Sequence, residues 1–430
     1  MRSKKILIIT YYWPPSGGVG VQRWMNFALE LKSRGWEPVI LTPENPQFDV
    51  KDQDLFERVK SLKTYRIPIW EPFQLFHRIT GNKERKNIQH GLALDKEKKS
   101  FLTNFFIWLR GNVFVPDSRI FWVRPAAKYA IELIEKEDIA VLVTTGPPHS
   151  MHLVGKKIKK KLSVKWLADF RDPWREWDVL DQLRTSSIVK KVHSRLERSV
   201  IESADEVITV SKRLADSLGA KVLNNGVGLE KAGAGAFAPD KSKFTIGYFG
   251  MLNELRNPSE LWVALEELCQ EIPDFYRQLS IKLAGVVSAN TKHEIGQLRH
   301  LREKVEFMGY LPHNEVQNQY STCNILLLLQ NRTSNSKWIL PVKLFEYLKA
   351  RRYILCLGPK ESDLGDLIEG KDVGAIVSSF AVQELKSIVQ EVFEKRIIPS
   401  KSDGDELIQR FSHQTLTTTL EGYLNDLINK

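Results

Sequence analysis

Tyr353–Leu357 (YILCL) is an unbroken apolar run that follows directly on a helical pattern, and this pairing restricts the fold more than any other stretch. Such a run is typical of a strand buried on both faces, at the centre of a parallel sheet covered by helices. Upstream, Leu344, Phe345 and Leu348 make an apolar stripe at helical spacing, with Pro341 placed for the first turn. Lys343, Glu346 and Tyr347 are expected on a different face of the same helix, which Arg351 and Arg352 close. A cation and a carboxylate at a helix N-terminus suit a ligand that carries both phosphate and a sugar diol. Free N–H groups and the helix dipole favour the phosphate, and a carboxylate accepts two hydroxyl hydrogens. The same two residues also fit an ordinary exposed i,i+3 ion pair.

The N-terminal half repeats the strand–loop–helix theme. Lys5–Tyr12 (KILIITYY) reads as a buried parallel strand, the loop WPPSGGVG carries Gly17 and Gly18, and Val21–Arg34 is amphipathic. Glu37–Thr42 (EPVILT) is the next strand, and glycines at the helix N-terminus between two strands form a phosphate cradle. The spacing Gly18-x-Gly20-x-x-Arg23 approaches a dinucleotide fingerprint, with Glu44 near the place of its ribose acid. Arg23 replaces the small third residue and prolines interrupt the loop, which argues against that reading.

Further strands are expected at Ile139–Thr144 (IAVLVT), Lys165–Asp169 (KWLAD) and Glu206–Val210 (EVITV). The first leads into TGPPHS with His149, and the second delivers Arg171 and Asp172. Ligands of open α/β sheets bind beyond the carboxyl ends of strands, so three loops converge at one edge: 13–20, 145–150 and 170–174. His149 as a packed histidine and Asp172 as a turn starter are the structural alternatives. Lys96–Val115 joins a basic lead to Phe101, Phe105, Phe106, Trp108 and Leu109, fitting either an interfacial helix or one packed on its own domain. The basic stretch GKKIKKK fits a solvated face or a contact with anionic head groups.

After a Gly-, Ala- and Lys-rich linker the theme restarts. Phe244–Phe249 (FTIGYF) is a strand, Gly250–Arg256 its exit loop, and a helix starts near Pro258-Ser259. Strands follow at Ile281–Ala284, Val305–Phe307, Ile325–Leu329 and Gly374–Val377. Arg256 leaves the first strand of this half at the edge that Lys343 also faces. Two cations and a helix N-terminus at one spot make a diphosphate clamp without a metal.

Length and charge set the bounds. The chain of 430 residues is too long for one core and implies two domains of about 200 residues each. Residues 1–228 form the first, 229–243 the linker, 244–412 the second, and 413–430 a helix with the length to cross back. The net charge of +11 implies an anionic partner. No recognition-helix or aromatic RNA-binding pattern accompanies the charge, so nucleic acid is not expected. The 3 cysteines sit mostly in apolar runs and the 9 histidines are scattered, so neither a disulfide frame nor a zinc site is expected. Asp52-Gln53-Asp54 and Asp403-Gly404-Asp405 have DxD spacing but lie in polar segments, and each reads as a solvated run. No apolar run approaches the ~18 residues of a spanning helix. The start imitates a signal peptide, yet prolines and glycines follow without a cleavage site. The expected location is cytoplasmic, either free or peripheral on the inner face of the plasma membrane.

Taken as an ordered set, YYWPPSGGVGVQR, TTGPPHS, ADFRDPW, GYFGMLNELRNP, FMGYLPHNE and PVKLFEYLKARRYILCLGP cover nearly the whole chain. In this it resembles the family 4 retaining glycosyltransferases of bacterial capsule, exopolysaccharide and lipopolysaccharide assembly. The resemblance implies an α/β GT-B architecture, two doubly wound Rossmann-like domains facing each other across a cleft. It implies transfer of a sugar, with retention, from a nucleotide diphosphate sugar to a lipid-linked or glycan acceptor at an anionic membrane surface, without cofactor or metal. Gly17 and Gly18 would lie under the donor diphosphate, Arg256 and Lys343 would neutralise it, and Glu346 would bind the ribose. Asp172, Arg171 and His149 would surround the reacting sugar as catalytic residues. Trp338 stands where the family usually has a second glutamate, and Gly228 where it has an acid after N-G-x. A non-catalytic sugar-nucleotide-binding or scaffold subunit and a sugar-nucleotide epimerase are the rival readings.

Overall fold

The computed structural model describes residues 3–46, 51–71, 101–176, 180, 183–229, 239–378 and 380–430. These form two compact α/β units, one holding residues up to 226 together with 412–430, the other holding 227–411. Of the expected linker, residues 230–238 lie outside the described residues, as do 96–100 of the basic lead.

The first unit contains β1 (Lys5–Ile9), α1 (Val19–Ser33), β2 (Glu37–Pro43), α2 (Gln53–Val59), β3 (Lys63–Ile67), α3 (Phe101–Asn112) and α4 (Val123–Glu137). It continues through β4 (Val141–Gly146), α5 (Ser150–Lys159), β5 (Lys165–Phe170), α6 (Ser187–Ile201), β6 (Glu206–Thr209), α7 (Lys212–Leu218) and β7 (Lys221–Val222). The second begins with β8 (Phe244–Phe249), α8 (Ser259–Glu271), α9 (Pro273–Gln278), β9 (Leu279–Ala284), α10 (Ala289–Gln297), β10 (Val305–Gly309) and α11 (His313–Thr322). It ends with β11 (Ile325–Leu329), α12 (Lys343–Ala350), β12 (Tyr353–Leu357), α13 (Asp363–Ile368), β13 (Gly374–Val377), α14 (Val382–Lys395) and α15 (Lys401–Arg410). The last helix, α16 (His413–Asn429), belongs to the first unit, where Tyr423 donates to the Val222 carbonyl at 3.1 Å and Trp36 to Glu421 at 2.9 Å.

Both sheets are parallel throughout. The first runs β3-β2-β1-β4-β5-β6-β7 and the second β10-β9-β8-β11-β12-β13. In each, the chain first winds outward from a central strand and then returns to its other side. The order therefore reverses between β1 and β4 and between β8 and β11, and at such reversals the exit loops part and leave a crevice for ligands.

Period-two alternation explains why the central strands look uniformly apolar in sequence. Ile325, Leu327, Leu329, Leu355 and Leu357 point into one core layer of the second unit, while Leu326, Leu328, Ile354 and Cys356 point into the opposite one. With both faces covered by helices, no position is left for a polar residue.

Some expectations need correction. Tyr347 is not on the face of Lys343 and Glu346. It is fully buried with Leu344 and Leu348, because the i,i+3 step from Leu344 returns it to the same stripe. Pro341 stands just ahead of α12, whose N-cap is Val342. The edge strand β3 and the helices α2 and α4 have no counterpart among the expected elements. The strand β3 (KTYRI) mixes polar and apolar side chains without strict alternation, and all are only half-buried or exposed, so its signal is weak. Both DxD segments have structural roles. The Asp52 carboxylate caps α2 by accepting from Leu55 N at 3.1 Å, and Asp403 accepts from Asp372 N at 2.8 Å within α15.

Candidate active site

The reversal in the first sheet collects the loops after β1, β4 and β5. Gly18 caps α1 with φ at +93°, in the half of backbone space where a side chain is strained. Gly17 precedes it in the same turn. Arg171, at the exit of β5, spreads its guanidinium over three backbone carbonyls: Gly146 at 3.2 Å, Pro147 at 2.6 Å and Gly20 at 2.9 Å. It thereby fastens the TGPP loop to the first turn of α1. Asp172 follows, and its charge and that of Asp169 oppose the burial that lowers the Arg171 pKa.

His149 opens α5 and lies flat on Trp174, with ring centroids 4.8 Å apart and planes 4° from parallel. Only 2% of its surface is exposed. Burial, reinforced by His152, His193 and Arg171, holds its pKa well below the ordinary histidine value, so the ring is neutral at pH 7. Gly17, Gly18, His149, Arg171 and Asp172 are thus brought to one edge of the first sheet.

Sequence reasoning missed what holds this edge together. Asp169, at the end of β5, is fully buried and accepts from Arg23 at 2.9 and 3.1 Å, from Trp24 Nε1 at 2.6 Å and from Thr145 Oγ1 at 2.8 Å. Burial alone would raise its pKa, but the charge and hydrogen bonds of Arg23, with Trp24 and Arg171, together outweigh burial and hold the carboxyl below its usual range. Arg23 also donates to the carbonyls of Leu223 and Asn224 at 2.8 and 2.7 Å. Its place inside a helix stripe and the acid ending an apolar strand were the available signals, since unpaired charges are almost never buried.

The second reversal collects the loops after β8 and β11. Arg256 Nε donates to Asn331 Oδ1 at 2.6 Å, one residue group from each loop. Its guanidinium also bonds the Tyr248 hydroxyl, and Tyr248 OH reaches the Met251 carbonyl at 2.8 Å. Lys343, the first residue of α12, donates its ammonium to the Phe249 carbonyl and lies 5.5 Å from the Tyr248 ring centroid. A Cβ on Gly250 would meet Nζ, so a side chain there would push the ammonium aside. Burial and the nearby Arg256 push Lys343 down to about 8, with Glu346 acting in the opposite sense. Two cations that destabilise one another at a sheet's carboxyl edge form an arrangement that an anion relieves.

Glu346 lies one helical turn on. Tyr320, buried at the end of α11, donates its hydroxyl to Glu346 Oε2 at 2.8 Å. Tyr320 is itself wedged edge-on between Phe249 and Tyr347, at 5.0 and 5.1 Å. Arg256, Lys343 and Glu346 are therefore one cluster, and Tyr320 and Asn331 are members that spacing did not reveal. Trp338 ends a short 3-10 turn ahead of α12, with the Lys337 ammonium 5.5 Å from its ring. Gln330 fixes that turn through the Ser336 and Ile339 carbonyls at 3.0 and 2.9 Å. Among the described residues no group of three His, Cys, Asp or Glu side chains is placed to hold a metal ion.

Residues 17–226 match the Glycosyl transferase 4-like domain. That segment carries Gly17, Gly18, His149, Arg171 and Asp172. No curated protein sequence matches this chain. Its fold is GT-B. It superposes on a sucrose-phosphate synthase from Thermosynechococcus elongatus with a TM-score of 0.63 at 14% identity, over 100% of both chains. The lipopolysaccharide outer core galactosyltransferase WaaB is similar at 0.61 and 14%, over 98% of this chain and 99% of that one. HepE of Anabaena, solved in complex with UDP, is similar at 0.61 and 12%, over 98% of this chain and 100% of that one.

Proposed function

We propose that the protein is a glycosyltransferase that moves a sugar, with retention of anomeric configuration, from a nucleotide diphosphate sugar to a membrane-associated glycan or polyprenyl-diphosphate-linked acceptor in cell-surface polysaccharide synthesis. The observation that carries this reading is the grouping of Arg256, Lys343 and Glu346 at the reversal of the second sheet. As the glycosidic bond breaks, the leaving diphosphate gains negative charge. Cations already held in place stabilise that charge more than they stabilise the substrate. Glu346, oriented by Tyr320, takes the ribose hydroxyls. Arg256 and Lys343 supply the countercharge, so no divalent cation is required. On the first unit, Gly17 and Gly18 offer backbone N–H groups to phosphate, and Asp172, Arg171 and His149 offer a sugar and acceptor hydroxyl a polar border. HepE, which binds UDP and UDP-glucose in its complexes, supports a nucleotide-sugar donor of this kind.

Arg256→Ala and Lys343→Ala should each lower turnover roughly 10²-fold, measured as donor consumption by the purified protein. Near-wild-type rates in both variants would remove the clamp from this account. A non-catalytic nucleotide-sugar-binding subunit is favoured by one feature, Trp338 in place of a sugar-binding acid. Nucleotide binding without hydrolysis or transfer, across a panel of donors and acceptors, selects it.

A further inference from the structure

We infer that the N-terminal unit docks on an anionic lipid surface through a groove between α4 and α5. The groove, about 580 Å³, has an apolar floor of Ile120, Val123 and Leu153. Its rim carries Arg124, Lys156, Lys157 and Lys160. Phe121 forms one wall and is 47% exposed, and Trp70, 59% exposed, packs edge-on against it at 4.8 Å. Phe114 extends the same aromatic ridge at 6.0 Å from Phe121. Large aromatic rings this exposed and this close together are unusual on a surface that meets only water. The side chains of α3 continue the theme, with Phe105 and Trp108 each 46% exposed and their rings stacked.

The combination selects the occupant. An apolar floor takes acyl chain, indole and phenyl rings settle at the level of the head groups, and ammonium groups on long stems reach the phosphates. Nucleic acid would use the cations and leave the apolar floor and ridge without purpose. Glu202 acts on Lys156 electrostatically, and Lys159 is committed to Asp205, so the charge toward lipid rests on Arg124, Lys156, Lys157 and Lys160. No helix among the described residues is long and apolar enough to cross a membrane, and this surface lies on the membrane without spanning it.

The inference rests on the membrane part of the reading above, and the experiment separates the two. The full chain is sedimented with vesicles of phosphatidylcholine alone, and with vesicles of equal parts phosphatidylcholine and phosphatidylglycerol. Wild type should bind only the anionic vesicles, and added salt should weaken binding. Each cation near an anionic surface contributes about fivefold to partitioning, so Lys156→Gln/Lys157→Gln/Lys160→Gln together should cost roughly 10²-fold. Trp70→Ser/Phe121→Ser should weaken binding at high salt as well as low. All five positions line the surface, and circular dichroism checks that both variants fold. Equal binding of wild type and both variants, no vesicle binding at all, or a wild-type dimer that Phe121→Ser dissociates would each overturn the proposal. A protein that binds anionic vesicles but consumes no nucleotide sugar keeps this surface and loses the transferase reading.

Discussion

The Tyr320 hydroxyl donates to the Glu346 carboxylate across 2.8 Å, joining two helices of the second unit at the point where α12 begins. Tyr320 is buried and edge-packed by two other rings, so it cannot follow Glu346 if that side chain swings away. The carboxylate is oriented before any ligand arrives, which lowers the ordering cost of binding.

Tyr320→Phe should therefore weaken nucleotide diphosphate binding roughly tenfold, the worth of a hydrogen bond to a charged group. The ring stays packed, so the melting temperature should change little. Calorimetric titration with UDP and with other nucleotide diphosphates reads the effect, and an unchanged Kd rules out the orienting role.

Lys343 is pushed down to about 8 by burial and by Arg256. Below that pH the ammonium is charged and pairs with diphosphate. Above it the free protein loses the proton, so Kd should rise up to about tenfold per pH unit between pH 8 and 9. The phosphates are already ionised there and add no slope. Lys343→Arg keeps its charge throughout this range and should flatten the profile. A bend that persists in Lys343→Arg would assign it to another group.

Arg23 and Asp169 form a buried bidentate pair. Removing one partner strands the other charge, so Arg23→Ala and Asp169→Ala should each cost about 3–5 kcal/mol in urea unfolding. The double variant should cost less than the sum of the two. Simple additivity would mean that the two side chains stabilise the fold independently.

His149 and His152 are held neutral by burial, His152 down to about 3 and His149 well below the ordinary value. Both folded-state values lie under the unfolded one of about 6.5. Above pH 6.5 neither state is protonated and stability is intact. As pH falls from there, the unfolded chain takes up protons that the native state refuses. Each imidazole then removes about 1.4 kcal/mol per pH unit until its own folded value is reached. Urea midpoints between pH 7 and 5 measure the slope. His149→Phe keeps a flat ring against Trp174 and should remove the His149 share of that slope.

Much of the fold was legible because burial on both faces leaves a plain mark in one dimension. Ile325–Leu329 and Tyr353–Leu357 are uninterrupted apolar runs for that reason, and both are strands as expected. The edge strand Lys63–Ile67 was not legible, because a half-buried edge tolerates polar residues. Tyr347 was misplaced because its hydroxyl makes it look amphipathic, whereas the period of the helix buries it.

From its sequence alone this chain had to form two series of parallel strands with loops carrying Gly18, His149, Arg171, Arg256 and Lys343 at their carboxyl ends. Those properties are local: periodicity, glycine position and the direction of a strand. Which residues meet was decided by strand order. Asp169 finds Arg23 146 positions away because only β4 separates β5 from β1, the strand that leads into α1, and Tyr320 finds Glu346 26 positions away because α11 packs against α12. A buried charge or hydroxyl takes its partner from whichever element packing brings alongside, and no spacing along the chain encodes that choice.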